Sequence, residues 1–293
     1  MPTNCFCLQQ TEKFRRIDNG RKSGRNRATR QTERLSMNTA MAPTLAARTI
    51  VRLVRKKPKT HPSRKMMARG LKIGGEDMPN AFRSIPIVPD HLSSNIVAAK
   101  DPISGQLRFW QIYAALFGYE SAVYGFGRWS AFLEAAGRRL CMLLWSMYVD
   151  DGTLIEPSDA ATAAQTLIND MFNTLGCPLA AKKRILMADE GDFLGVVHNL
   201  KEVAVSGVTT CTPRVALLKK ATEMLNGFIK ENKCTPAQAS KFRGLQGFLN
   251  LSLFGQLSKG GARAFKEHCP QRCGEQSSST SPSSLIARRG RYS

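Results

Sequence analysis

Two adjacent aspartates, Asp150 and Asp151, stand inside the run LCMLLWSMYVDDGTLIE, residues 140–156. The flanking stretches are too apolar to be exposed and read as two strands. The Asp-Gly step between them is a favoured hairpin turn, which would set both carboxylates at a tight, rigid tip. Carboxylate oxygens are the ligands that Mg²⁺ prefers. Two such ions, roughly 3.5 to 4 Å apart, activate a hydroxyl nucleophile and stabilise a departing pyrophosphate. That chemistry needs at least two aspartates brought to one point. The plainer account is a pair of solvated turn aspartates, and the tetrapeptide Tyr148-Val149-Asp150-Asp151 does not decide between the two by itself.

Further stretches do. Tyr148-Val149-Asp150-Asp151 resembles the catalytic hairpin of reverse transcriptases. Asp77-Met78-Pro79-Asn80-Ala81-Phe82 resembles that family's first palm motif, an aspartate on a strand with an aromatic five residues later. Ala115-Leu116-Phe117-Gly118, followed by Ala122-Val123-Tyr124-x-Phe126, resembles its template- and nucleotide-binding loop and helix. Gly176-x-Pro178-Leu179-Ala180-Ala181-Lys182-Lys183 resembles the next motif, and Phe193-Leu194-Gly195 the primer-grip hairpin. The five occur in the family's order and span residues 77 to 195. Lys13-Phe14-Arg15-Arg16-Ile17-Asp18-Asn19 resembles a fingers strand whose arginine contacts the incoming triphosphate, with Arg15 the aligned residue. The segment after Pro213 resembles the start of a thumb.

The resemblance implies an α+β fold: a right-hand polymerase palm with an antiparallel sheet, partial fingers and a helical thumb stub, a fragment of a longer retroelement polyprotein. It implies template-directed DNA synthesis by two-metal-ion nucleotidyl transfer with Mg²⁺ or Mn²⁺. The partners would be an RNA or DNA template, a DNA primer and deoxynucleoside triphosphates. An inactive remnant that still binds nucleic acid is the alternative. Asp77, Asp150 and Asp151 would be the catalytic carboxylates and metal ligands, with the Met78 carbonyl assisting. Lys183 would act near the pyrophosphate. Arg15, Phe82, Phe117, Gly118 and Tyr148 would meet the nucleotide, Phe82 as a steric gate at the sugar 2′ position. Phe193, Leu194 and Gly195 would hold the primer. Each has a plain structural account beside it: Phe82 a core aromatic, Gly118 a glycine at a helix start, Lys183 a solvated base beside Lys182 and Arg184.

Charge fits a polyanionic partner. The 293 residues carry +21, and residues 1–72 hold 19 Lys or Arg against three acidic residues. Such an excess points to nucleic acid. No apolar run reaches the roughly 18 to 20 residues of a membrane span, so no membrane partner is expected. Eight cysteines, several in apolar surroundings, suit free thiols in an intracellular compartment, cytoplasm or nucleus.

The elements that must position the carboxylates follow from spacing. Residues 13–19 read as a strand, 31–56 as a helix, and 71–88 as strand, turn and short helix. Residues 92–113 read as a hairpin around DPISG. Residues 114–139 form one helix by their apolar period. Residues 158–175 form another, capped by Ser158 and stopped at Gly176. Strands are expected near 184–188, 192–198 and 201–210, then a helix opened by Pro213 and another at Thr235-Pro236. The division expected is 1–70 a basic partial fingers segment, 71–211 the palm, 212–267 a thumb-like segment, and 268–293 a disordered tail.

Overall fold

The protein is described by a computed structural model covering residues 2–10, 13–30, 32–101 and 103–252. The expected tail at 268–293 lies outside the described residues. The chain opens with strands β1 (Thr3–Gln10) and β2 (Lys13–Asp18), then helices α1 (Arg25–Ala28), α2 (Ala42–Arg55) and α3 (Pro62–Ala68). Strand β3 (Leu71–Asp77) leads through a 3₁₀ turn (Ala81–Ser84) and α4 (Pro89–Leu92) to β4 (Ile96–Lys100) and β5 (Leu107–Gln111). Helix α5 (Glu120–Arg139) precedes β6 (Trp145–Tyr148) and β7 (Asp151–Pro157). Helix α6 (Ala161–Thr174) and a 3₁₀ turn (Ala181–Lys183) lead to β8 (Ile185–Ala188), β9 (Glu190–Phe193), β10 (Val196–Asn199) and β11 (Thr210–Pro213). Helices α7 (Val215–Glu231) and α8 (Pro236–Ser252) follow.

The central sheet has the order β6-β7-β3-β8 and is antiparallel throughout. Its strands alternate between two cores, as pleating requires. Leu154 faces a cluster with Trp145, Phe126, Leu133, Ile168 and Phe172, which brings in α5 and α6. Ile155, next along the strand, joins Leu71, Ile73, Ala47, Val51 and Met67, which brings in α2 and α3 on the other face. A second sheet, β2-β1-β4-β5, is mixed: β1 runs parallel to β4 and its other pairings are antiparallel. The third, β11-β10-β9, carries the hairpin at 193–196. Among the described residues no helix is long and apolar enough to cross a membrane. Cys141, Cys177, Cys211 and Cys234 are free thiols.

Several elements differ from expectation, each for a tertiary reason. Residues 3–10 lack a legible pattern yet form β1, because β2 pairs along their length and β4 receives Thr3 and Asn4. The helix expected from 31 begins only at Ala42; before it, Asn38 is held extended by its amide bonds to Glu134 and the Met147 carbonyl. The helix expected from 114 begins at Glu120. Ala114 and Ala115 are taken by bridges to Pro86 and Ile85, and Gly118 has φ 117, outside any helix. Ser158 does not cap α6: its hydroxyl donates to the Arg69 carbonyl and its amide to Gly70. Residues 201–207 turn rather than extend, and Pro213 closes β11 instead of opening α7.

The hairpin that carries Asp150 and Asp151 shows the most informative difference. Asp151 pairs with Tyr148, so the turn is Val149-Asp150, and Gly152 lies inside β7. A Cβ on Gly152 would stand 1.9 Å from the Trp145 ring. The buried indole therefore claims the glycine, and the turn moves two residues upstream. Val149 takes the left-handed conformation, φ 55, at a position where such turns favour glycine. Strain of this kind persists where the surroundings over-determine it. Here the Ser130 hydroxyl donates to the Val149 carbonyl at 2.5 Å, and the Met78 amide to the Asp150 carbonyl at 3.0 Å.

Candidate active site

Asp77 ends β3 and Asp151 begins β7, and the two are direct register partners. Antiparallel pairing of two strands whose other residues are nearly all core thus brings carboxylates 74 positions apart in the chain to one sheet end. Asp150 stands in the adjoining turn. The cluster is electrostatically crowded. Burial, then the charges of Asp150 and Asp77, push the Asp151 carboxyl up to about 6. Lys183 answers part of this excess: its ammonium donates to both oxygens of Asp77, at 2.7 and 2.8 Å. The 3₁₀ turn that carries Lys183 is fastened to the same strand end, since the Ala180 amide donates to the Asp77 carbonyl at 2.8 Å.

These residues open on a cavity of about 710 Å³. Its wall includes Asp77, Tyr148, Asp151, Lys183, Phe193, Leu194 and Gly195. Seven of the residues singled out in the sequence are thereby brought to one place. Asp150, Met78, Phe82, Phe117 and Gly118 stand outside this wall. Met78 is buried in the core. Phe82 packs between the rings of Phe117, 5.5 Å away, and Phe126, 5.6 Å away. The Gly118 face that lacks a side chain is filled by protein, since a Cβ there would lie 2.0 Å from the Asp18 carbonyl oxygen. Arg15 lies in β2 opposite Leu8, while its neighbour Arg16 pairs at 3.1 Å with the buried Asp18.

Three charged cavity residues escape the sequence reading. Glu76 is buried beside Asp77, and burial raises its carboxyl above the ordinary range despite Arg184, whose Nε donates to it at 2.8 Å. Asp192 and Arg214 form a clamp on the 193–196 hairpin. Arg214 Nη2 donates to Asp192 at 2.8 Å and Nε to its other oxygen. Asp192 also accepts the Gly195 amide, and the Arg214 amide donates to the Gly195 carbonyl at 3.2 Å. The hairpin turn, with Leu194 at φ 51 and Gly195 at φ 80, is thus tied to the start of α7. Asp192 just before Phe-Leu-Gly is a legible turn-forming residue; nothing near Arg214 announces its partner 22 residues upstream.

A consequence can be measured. Arg214→Ala leaves Asp192 alone to hold Gly195, and amide exchange across 193–196 is expected to accelerate several-fold. Because the pair is half exposed, the melting temperature should fall by only a few degrees, roughly 1 kcal/mol. Unchanged exchange at Gly195 would show that the clamp does not hold the turn.

Among the described residues no three His, Cys, Asp or Glu side chains converge tightly enough to hold a metal ion. The donor set nevertheless suits a hard divalent cation: carboxylate oxygens on paired strands, with their mutual repulsion only partly relieved at Asp151 by Lys183 and Arg214, and a cation, the Lys183 ammonium, already bidentate on Asp77.

No protein-family model matches the chain, and no curated protein does. Solved structures do. A foamy viral protease-reverse transcriptase, described as dRH and in complex with double-stranded DNA, superposes with a TM-score of 0.54 at 15% identity, over 85% of this chain and 36% of its own. A second foamy viral protease-reverse transcriptase, also with double-stranded DNA, gives 0.50 at 15% identity over 85% of this chain and 42% of its own. The chain spans well under half the length of either. It has a reverse-transcriptase-like fold, mixed α and β.

Proposed function

We propose that the chain is the polymerising core of a reverse transcriptase, carrying out template-directed DNA synthesis by two-metal-ion nucleotidyl transfer. One observation carries the reading. Asp77 and Asp151 meet in register at a sheet end, Lys183 sits on Asp77, and all three line one cavity with the 193–195 hairpin. In this reading β6-β7-β3-β8 is the palm, β2-β1-β4-β5 part of the fingers, and α7 with α8 the base of the thumb. That the similar folds were solved with double-stranded DNA supports a nucleic-acid partner.

Asp77, Asp150 and Asp151 would hold Mg²⁺ or Mn²⁺. A cation held there would lower the pKa of a primer 3′-hydroxyl and offset triphosphate charge. The chain's own residues do the rest. The Phe193-Leu194-Gly195 hairpin, clamped by Asp192 and Arg214, holds the primer end against the carboxylates. Lys183 leaves Asp77 and turns to the pyrophosphate, where its ammonium neutralises developing charge or donates a proton. Tyr148 lines the cavity beside Asp151, and Arg15, Phe82, Phe117 and Gly118 would shape the nucleotide end, Phe82 excluding a 2′-hydroxyl. A deoxynucleoside triphosphate, a DNA primer and an RNA or DNA template complete the complex.

A second reading, an inactive remnant that only binds nucleic acid, is favoured by one feature: Lys183 closes both oxygens of Asp77, and the carboxylates do not form a tight triad. Primer extension on poly(rA) with an oligo(dT) primer and Mg²⁺ or Mn²⁺ separates the two. Extension by the natural chain and none by Asp150→Asn supports the enzyme. No extension by either, with template binding retained, leaves the remnant.

A further inference from the structure

Between Glu33 and Glu76 the chain has eleven Lys or Arg and no acidic residue. Helix α2 spends its apolar side inside the protein, with Ala47 and Val51 packed on Leu71, Ile73, Ile155 and Leu200. Its other side is basic. Arg48, Arg52, Lys56, Lys57, Lys59 and Lys65 are all exposed, and among the described residues none of them has an ion-pair partner. Three other basic residues of the segment are committed. Arg55 donates to the carbonyls of Ala204 and Val205, Arg69 pairs with Asp159, and Lys72 pairs with Asp189.

The uncommitted charges are arranged in a row. Arg48, Arg52 and Lys56 recur every fourth residue, so they share one helix face about 6 Å apart along the axis. Like charges at that spacing disfavour one another. A polyanion with regularly spaced charges removes the repulsion and releases its own counterions. The row also has a direction: Asn38, Thr39 and Ala40, just before α2, line the cavity, and Arg48 lies about two turns further on.

We propose that the outer face of α2, the 56–61 segment and α3 form a second nucleic-acid-binding surface, outside the cavity, that takes the phosphate backbone of a strand passing to or from it. The surface stands on charge and exposure alone; naming the strand as template or product rests on the polymerase reading. A membrane surface is the weaker occupant. The apolar side that a helix would insert into lipid is already buried in the core. Exposed Leu45, Leu53 and Met66 are separated by charged residues.

The test is fluorescence anisotropy of the full chain with a labelled RNA–DNA hybrid, without nucleotides, across a potassium chloride series. The fourfold variant Arg48→Gln, Arg52→Gln, Lys56→Gln, Lys57→Gln is compared with Arg48→Lys, Arg52→Lys, and circular dichroism checks that both fold. Each phosphate contact contributes about 0.9 to the slope of log K against log salt. The fourfold variant is therefore expected to lose roughly 3 to 4 from that slope and to bind at least about tenfold more weakly at 0.1 M salt. The lysine variant should keep the slope. A folded glutamine variant with unchanged slope and affinity overturns the proposal. So does one that loses binding to phosphatidylserine vesicles while its hybrid binding is intact, which would assign the surface to a membrane. Failure of the polymerase reading looks different: no primer extension, with the salt slope of the natural chain undiminished.

Discussion

An Asp151→Asn protein is expected to melt several degrees above the natural chain in EDTA at pH 8, and to extend a primer at least a hundredfold more slowly with Mg²⁺ present. The two effects have one cause. Burial and the charges of Asp150 and Asp77 push the Asp151 carboxyl up to about 6, from an ordinary value near 3.8. A folded-state value above the unfolded one means that the folded protein binds the proton more tightly. Stability is therefore gained as pH falls through about 6 and lost as pH rises through it. At pH 8 the ionised carboxylate opposes folding by on the order of 2 kcal/mol, after allowance for its partial exposure. That corresponds to roughly 4 to 8 °C for a chain of this size. The amide removes the charge and the penalty together. The gap should narrow to about half near pH 5 and nearly close only around pH 4 and below, where the carboxyl is protonated in the unfolded chain as well. Activity moves the other way, because a site that concentrates negative charge for a cation loses its purpose when one charge is deleted. Losing a single such electrostatic group costs about a hundred- to a thousandfold. Equal melting temperatures at pH 8 would show that the three carboxylates are not strained against one another. Higher stability with undiminished extension would remove Asp151 from the mechanism.

The legible part of this site is the part carried by local pattern. Apolar runs mark β6 and β7 and put Asp150 and Asp151 at a turn, while Asp77 and Lys183 are picked out by their resemblance to family motifs. What strand spacing cannot supply is who meets whom. The Lys183 bond to Asp77 joins residues 106 apart, and the Arg214 clamp on Asp192 depends on α7 starting where β11 ends. The hairpin tip was misplaced because Asp-Gly has a strong local preference for a turn. The fold overrides it by laying Trp145 across Gly152, a contact decided by the core. β1 was missed for a similar reason: its residues carry little alternation, and pairing with β2 and β4 makes them a strand. Of the residues read as nucleotide contacts, Tyr148 lines the cavity, whereas Phe82, Phe117 and Gly118 do not. Each is engaged with other parts of the protein, which local motifs cannot reveal.

Gly118→Ala is expected to be among the most destabilising single substitutions in the protein, lowering the melting temperature by about 10 °C or preventing folding. Its backbone sits at φ 117, where L residues are strained, and a Cβ would lie 2.0 Å from the Asp18 carbonyl oxygen. That neighbour is backbone and cannot step aside. The Asp18 amide donates to the Phe117 carbonyl at 2.9 Å, and Asn26 bridges the Gly118 carbonyl and the Glu120 amide. Relieving the clash therefore means detaching the end of β2 from the start of α5. Backbone strain of this class and the broken contacts together cost roughly 3 to 5 kcal/mol. Gly176→Ala is the matched control: its φ is also positive, at 70, yet nothing lies within 4 Å of the added carbon. It should cost about 1 kcal/mol, the conformational part alone. The difference between the two, read by thermal denaturation, measures the close approach of β2 to the loop. If the two losses are equal, β2 does not press on Gly118. The missing side chain would then have to be explained by a ligand, which is the reading that the resemblance to reverse transcriptases implies. If Gly118→Ala is far the worse, the glycine is required by the fold whether or not a nucleotide ever meets it, and loss of activity in that variant says nothing about nucleotide contact.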